Sequence, residues 1–442
     1  MENSTLLTSD QIIHDLLPQK FGKPGMIWTA LLVFICLIGA FAYYRQLRYG
    51  LIVTNMRDYV SWGIYISNFV FFVAISLVGS LITAILRLVN VHWSTPLTRI
   101  AEIIAVSAIV FASIIIIVDM GRPERFMNII LYGRLQSPIM WDVIVIGTYF
   151  FISVLLLYLP LLPDLKILIK HKEESGEKLN RFYRWQGSFW KGTKEQFRVS
   201  DRAIQILCIL IIPVAFCIHT VTSWLFATTY RPGWDSTNFG AYFISGAFLV
   251  GAGAVIIAMF VFRKSYKLEK YITDMHFERM GRIAVLLALV YLYFNINEYL
   301  VPAFKMKKAE EAHLIQLFTG DYSIMFWFAI LVGMIIPILI LIFKKGRKPL
   351  PLFIAGIMIV VGAWFKRYLI VTPTLLHPIL PMHDVPQSYM HYVPSWEEWA
   401  IAAGSMAGVL LIITFIVRIY PIIPIQETIT EQTQGHEKDE AQ

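Results

Sequence analysis

Cysteine and charge are the two things this chain has least of. Three cysteines, Cys36, Cys208 and Cys217, occur in 442 residues, each inside an apolar run, and no C-x-x-C pair exists. That spacing excludes a cysteine-ligated iron–sulfur cluster, a covalently attached c-type haem and a cysteine zinc site. Charged residues make up 15% of the chain against 57% hydrophobic, with a mean hydropathy of +0.62. Soluble globular domains do not have this composition, so the chain is an integral membrane protein. Histidine is scarce where a haem needs it. Of ten histidines only His219 falls well inside an apolar run, whereas a bis-histidine haem b takes two at matched depth. No haem b is expected.

What the chain has instead is long apolar windows. Ten of them, near 26–44, 59–86, 99–119, 142–162, 203–228, 239–262, 282–301, 323–343, 350–370 and 398–420, are long enough to cross roughly 30 Å of hydrocarbon as helix. The expected fold class is all-α: a polytopic membrane protein of about ten helices. Its second to fifth and sixth to ninth helices group as two four-helix bundles, with the first and tenth outside.

Net charge is +8, and its distribution says more than its sum. Segments on the side of the N-terminus hold 26 of the 38 Lys and Arg residues, so the positive-inside rule puts both termini in the cytoplasm. The organisation is then a cytoplasmic segment 1–25, a membrane domain 26–420 and a polar cytoplasmic tail 421–442, expected to be disordered from Gln426. The basic loop 163–201 mixes Lys and Arg with Phe182, Tyr183, Trp185, Phe189 and Trp190, which suits a helix in the lipid headgroups rather than nucleic acid. The exoplasmic loop 371–397 is rich in Pro and His and has the character of a cap or partner surface. Ala40-Phe41-Ala42 resembles a signal cleavage site, which leaves removal of the first span as an alternative.

Ionisable residues inside or at the edge of hydrocarbon are costly and count as site candidates. Asp119 ends the third span before Gly121, Arg122 and Pro123, and Asp142 opens the fourth, so two acids meet at one end of consecutive helices. His219 and Ser223 lie one turn apart in the fifth span, Glu298 in the seventh and Arg367 in the ninth, all at the exoplasmic depth. Ser61, Tyr65, Asn68 and Phe72 follow an i, i+4, i+7 spacing that would put Tyr and Asn on one face of the second span. Each has a plain alternative: a helix stop for Asp119, the helix N-terminus for Asp142, snorkelling beside Lys366 for Arg367, a packing histidine, an interfacial Glu298 and an aromatic belt for Tyr65. Glu102, near the other end of the third span, is expected to pair with Arg99 one turn away. His377, His383, Asp384 and His391 have no recognised metal-ligand spacing.

At these residues the chain resembles the NrfD-like, or polysulfide reductase membrane subunit, family. The resemblance rests on Val118-Asp119-Met120-Gly121-Arg122-Pro123-Glu124-Arg125-Phe126, on Ser137-Pro138-Ile139-Met140-Trp141-Asp142 and on Trp62-Gly63-Ile64-Tyr65. Trp364-Phe365-Lys366-Arg367-Tyr368, Leu380-Pro381 and Tyr392 to Trp396 liken it most to the quinol-binding membrane subunits of bacterial alternative complex III. Those relatives carry His before the Gly-Arg-Pro where this chain has Asp119, which leaves another respiratory complex of the family open.

The resemblance implies a subunit of the bacterial cytoplasmic membrane that binds menaquinol or another quinone such as ubiquinone near the exoplasmic surface. It implies electron exchange with an adjacent ferredoxin-like iron–sulfur subunit and further subunits of a respiratory complex, and possible coupling to proton translocation. Asp119, Asp142, His219 and Arg367 would then manage protons, with Tyr65, Asn68, Ser223 and Glu298 contacting the quinone. The rival readings are a secondary transporter and a structural anchor without its own quinone site.

Overall fold

In the computed structural model, residues 8–18, 22–89, 91–174, 176, 181–229, 231–305, 307–377 and 383–431 are described. Leu380 and Pro381 lie outside them. Ten helices are long and apolar enough to cross a membrane, as expected from the sequence. They are α1 (Lys23–Tyr49), α2 (Ile64–Leu88), α3 (Thr95–Asp119), α4 (Pro138–Tyr158), α5 (Lys194–Ala227), α6 (Phe239–Ser265), α7 (Asp274–Lys305), α8 (Ser323–Leu341), α9 (Pro349–Leu375) and α10 (Trp396–Ile419).

Local chemistry sets the ends. Pro at the first turn opens α1, α3, α4 and α9, where its missing N–H costs nothing. Gly121 ends the α3 turn with φ +67°, and a Cβ there would run into Leu51. The Ser395 hydroxyl accepts from the Glu398 N–H and the Glu398 side chain accepts from the Ser395 N–H, a capping box that starts α10. Because α2 starts only at Ile64, exposed Ser61 lies outside it and the expected four-residue face begins at Tyr65.

The helices close into two rings. In the first, α2 packs on α3, α3 on α4, α4 on α5 and α5 back on α2; in the second, α6 packs on α7, α7 on α8, α8 on α9 and α9 back on α6. The rings meet along α2 and α6, while α1 pairs with α10, and α10 leans on α3. Close approach without apolar driving force needs small residues at the contacts. In α8, a π-helical turn at Leu331–Ile335 carries Gly333, whose Cα would collide with a Cβ on Gly362 of α9.

One end of the bundle gathers the basic connections and both described ends of the chain. Asp15 of the N-terminal helix Ser9–Leu16 pairs with Lys270 in the α6–α7 connection at 3.3 Å. The basic loop is largely helical, with Leu161–Glu174 and Arg181–Gly187; Trp185 and Phe189 are exposed, while Trp190 is buried against Leu161, Leu162 and Leu165.

The tail departs from expectation. Ile422, Ile423 and Ile425 are buried, and residues 425–431 are helical. The cause is a buried carboxylate: Asp164 accepts from the N–H groups of Ile425 and Gln426 and from Arg99 at 2.5 Å, which fastens the strap across the helix ends. Arg99 being taken, Glu102 pairs not with it but with Arg87 at 3.5 Å, and Arg87 also reaches Glu427 of the strap at 3.3 Å.

Candidate functional site

The opposite end collects the candidate residues, because successive helices alternate in direction: the last turns of α3, α5, α7 and α9 and the first turns of α2, α4, α6 and α10 all lie there. The candidates divide among three neighbourhoods.

The first lies between α1, α2, α3 and α10. The Tyr65 hydroxyl donates to Gln46 Oε1 at 2.8 Å, and Gln46 Nε2 donates to the Val118 carbonyl at 2.8 Å, joining three helices one residue before Asp119. Asp119 Oδ1 is buried without a hydrogen-bond partner and lies within electrostatic reach of Glu398. Glu398 accepts from the Tyr392 hydroxyl at 2.5 Å and from the Asn55 N–H at 2.8 Å. Burial and the Glu398 carboxylate push the Tyr392 phenol far up, so it stays protonated and donates, while its oxygen accepts from the Ile64 N–H. Gly63 makes room for that ring, since a Cβ would collide with it.

The second is the joint of α4 and α5. Asp142, buried, accepts from the Thr222 hydroxyl at 2.7 Å. No hydrogen bond links Asp142 to Asp119 among the described residues; the two acids share an end of the bundle but face different neighbours. Pro213 leaves the Ile209 carbonyl without its usual intrahelical donor one turn below the Cys217–Thr222 stretch.

The third is the seam between the rings. His219 is buried; the Ala215 carbonyl lies near its ring, but nothing meets hydrogen-bond geometry at either nitrogen. Arg367, 2% exposed, lies within electrostatic reach of His219, with Nη2 on the Phe243 carbonyl at 3.4 Å, Nη1 unpartnered and the guanidinium 4.8 Å from the Phe243 ring. Asn68 accepts from the Trp364 indole at 2.7 Å, tying α2 to α9, and its Nδ2 is unpartnered. Tyr65 and Asn68 therefore bond different neighbours, α1 and α9. Ser223 donates to the Thr220 carbonyl and is fully buried. Aromatic rings wall the seam: Trp62 stacks 6.1 Å from Trp234, and Phe226 lies 5.0 Å from Trp234.

Glu298 stands apart, in the second ring. Beside it Lys366, far from snorkelling, is 2% exposed, bonds the Tyr299 hydroxyl and lies 4.4 Å from the Tyr299 ring centre and 5.2 Å from that of Phe326. Sequence reasoning passed over Lys366, Gln46 and Glu398. A lysine within an apolar run was a visible signal, and Ser395-x-x-Glu398 reads as a capping box; Gln46, beyond the first apolar window, and the inward turn of Glu398 were not visible. Among the described residues no group of three or more His, Cys, Asp or Glu is placed to hold a metal ion.

Fold and site together define a class: a multi-pass membrane protein of two four-helix rings flanked by a helix pair, with buried acid, base and cation side chains at one end. The chain belongs to the family described as polysulphide reductase, NrfD, whose profile matches residues 52–378. It is similar to a subunit of the selenate reductase of Mesobacillus selenatarsenatis, 23% identical over 92% of this chain and 97% of that one. It is similar as well to the Hdr-like menaquinol oxidoreductase integral membrane subunit of Archaeoglobus fulgidus, 23% identical over 91% and 95%. A third relative is the menaquinone reductase integral membrane subunit of Nitratidesulfovibrio vulgaris, 23% identical over 90% and 92%.

Proposed function

We propose that this chain is the quinol-binding membrane subunit of a respiratory oxidoreductase in the bacterial cytoplasmic membrane. It exchanges electrons between menaquinol and an iron–sulfur partner subunit, with both termini in the cytoplasm and the site on the exoplasmic side. The observation that carries the reading is the set of unpartnered polar atoms at one end of the bundle: Asp119 Oδ1, both nitrogens of His219, Arg367 Nη1 and Asn68 Nδ2. Burying such groups unpaired costs roughly 1–3 kcal/mol each, a cost that a ligand with hydrogen-bonding oxygens relieves. Names of relatives that include a menaquinol oxidoreductase and a menaquinone reductase point to the ligand class.

The residues suit the chemistry. A quinol, when bound, releases two protons along with two electrons. Asp142 can receive one proton, with Thr222 holding its other face still, and His219 can receive the second through an unoccupied nitrogen. Arg367 supplies positive charge and an open N–H where negative charge builds on oxygen. Asp119 and Glu398, close enough to repel, form the outlet through which a proton passes towards the surface. Electrons leave through the partner subunit at the same face, since this chain is read as holding no redox metal.

The purified complex should carry menaquinone on solvent extraction and should oxidise menaquinol or reduce menaquinone. Asp142→Asn should abolish that turnover with all subunits still assembled. Quinone-free complex with unaltered turnover in the variant would refute the assignment and favour an anchor.

A further inference from the structure

At the basic end of the bundle α1 and α10 leave a groove between them that belongs to neither ring. The two helices touch most closely at Gly39 and Gly404, where a Cβ on either glycine would come to 3.0 Å from the other's Cα. Further along, the contact is made by an indole: Trp28 Nε1 donates to Thr414 Oγ1 at 3.2 Å. A bridge of that length holds the helices further apart. Beside it opens a groove of about 330 Å³ lined by Thr29, Leu411, Ile412, Thr414, Phe415 and Arg418. Protein anchors α1 little here, since of its buried residues Leu32, Gly39, Ala42 and Gln46 only the first lies in this half.

The walls restrict what can fill the groove. Both threonine hydroxyls are engaged, Thr29 with the Gly25 carbonyl at 2.8 Å and Thr414 with the Leu410 carbonyl at 2.7 Å, and the rest of the wall up to Arg418 is hydrocarbon. Water gains little there, whereas an alkyl chain packs along it. Leu411, Thr414, Phe415 and Arg418 follow the i, i+3, i+4, i+7 spacing, a stripe about 10 Å long that ends in the guanidinium. Because Trp28 and Thr414 are level and the helices run in opposite directions, Lys23 in the first turn of α1 comes level with Arg418. Both are exposed. The helix Arg181–Gly187 brings Arg181 and Arg184 to the same end of α10, where its Tyr183 donates to the Ile419 carbonyl at 3.0 Å. No acid stands among the lining residues. An apolar groove that opens on basic residues selects an amphiphile with a hydrocarbon chain and an anionic head.

We infer that this groove is a binding site for an anionic phospholipid, with one acyl chain along Leu411 and Phe415 and the phosphate diester between Lys23 and Arg418. Basic pockets between helix ends at headgroup depth take such heads. The lipid fills the gap between α1 and α10 and fastens the basic half of α1. A quinol head is uncharged and its proposed site lies at the opposite end of the bundle, so the inference stands or falls apart from the quinol reading.

Phosphatidylglycerol with a photoreactive diazirine in its acyl chain, added to the intact complex in phosphatidylcholine nanodiscs, tests it, with a diazirine phosphatidylcholine as comparison. On irradiation the phosphatidylglycerol probe should label segment 411–418 in preference to the phosphatidylcholine probe, and unlabelled phosphatidylglycerol should compete. Lys23→Gln together with Arg418→Gln should lower that preference about twentyfold, at about fivefold for each basic residue, whereas Arg418→Lys should keep it. Leu411→Trp, which fills the groove, should remove labelling by both probes; the charge variants alter exposed side chains and cover the case in which the tryptophan disrupts folding. Equal labelling of the segment by both probes, unchanged in the charge variants, overturns the inference and leaves ordinary boundary lipid. Absence of labelling in the intact complex overturns it as well and means that another subunit covers the groove.

Discussion

The two ends of this bundle bury charge in opposite ways. At the basic end each buried charge has an opposite one within 4 Å: Arg99 with Asp164 at 2.5 Å, and Arg87 with Glu102 and Glu427 at 3.5 and 3.3 Å. At the other end Asp142, His219, Glu298, Lys366 and Arg367, each at most 7% exposed, make no ion pair among the described residues, whereas Glu397 beside them pairs with the more exposed Arg45 at 3.2 Å. The Arg99–Asp164 pair fastens one element to another, here the C-terminal strap to the helix ends. Buried charge without a partner adds nothing to the fold and costs desolvation, so it persists where something else uses it. The comparison assigns architecture to one end and chemistry to the other.

The sharpest break of that assignment would come from Asp142→Asn. Loss of a positioned proton acceptor lowers turnover by about 10²–10⁴-fold, while an amide still accepts from Thr222, so the fold should be nearly unaffected. Menaquinol oxidation by the assembled complex, measured beside its thermal midpoint, reads both. Asp164→Asn should do the reverse. It strands the Arg99 guanidinium in a site where both side chains are at most 1% exposed, and removing one partner of a buried pair costs about 3–5 kcal/mol. Denaturation should show that loss with turnover per folded complex retained, and a double replacement of Arg99 and Asp164 by Met and Leu should recover most of it. If Asp164→Asn abolished turnover at full stability, the division of labour between the ends would fail.

How much of this was legible in the sequence follows from what periodicity and hydropathy report. Ten spans were readable because each apolar run exceeds the bilayer thickness, and the depth of His219 and Arg367 followed from their position along a run. Helix starts were missed by up to nine residues, as in α5, which begins at Lys194: an amphipathic first turn outside the membrane has no hydropathy signal. Partner choice was not legible at all. Arg99 stands one turn from Glu102 yet serves Asp164, some 65 residues on, because the strap brings two N–H groups to that acid. The same limit hid the separation of Asp119 from Asp142 and the inward turn of Lys366.

Between the two ends in magnitude stands His313 on the helix Lys308–Phe318, which connects α7 and α8. Burial foremost, then the neighbouring His377 and Lys366, lowers its pKa from 6.5 to about 3, so the folded protein keeps it neutral. The unfolded chain takes up a proton below about pH 6.5 that the folded chain refuses until about pH 3, so this contribution to stability is complete above pH 6.5 and is lost as pH falls. At most about 1.4 kcal/mol per pH unit is involved, or about 1.4 kcal/mol in all by pH 5.5. Midpoints of the unaltered protein and of His313→Gln, measured from pH 7.5 to 5, should diverge on the acid side, the unaltered protein falling faster. Parallel curves would mean that His313 reaches solvent.

The smallest effect concerns the seam itself. Trp364 of α9 donates to Asn68 of α2 across the boundary of the two rings, at 2.7 Å. Trp364→Phe keeps most of the ring stack with Tyr368 and Trp399 but leaves both polar ends of the Asn68 amide unpartnered in a buried position. A net loss of about 0.5–1.5 kcal/mol in stability is expected from the bond. Its effect on turnover discriminates more finely than its effect on stability. If Asn68 only joins the rings, turnover per folded complex stays level and Asn68→Leu combined with Trp364→Phe regains stability, two apolar groups replacing two polar ones. If Asn68 Nδ2 contacts the ligand, the single variant, with its amide freed to rotate, changes the KM for menaquinol, and the double variant loses turnover despite its regained stability.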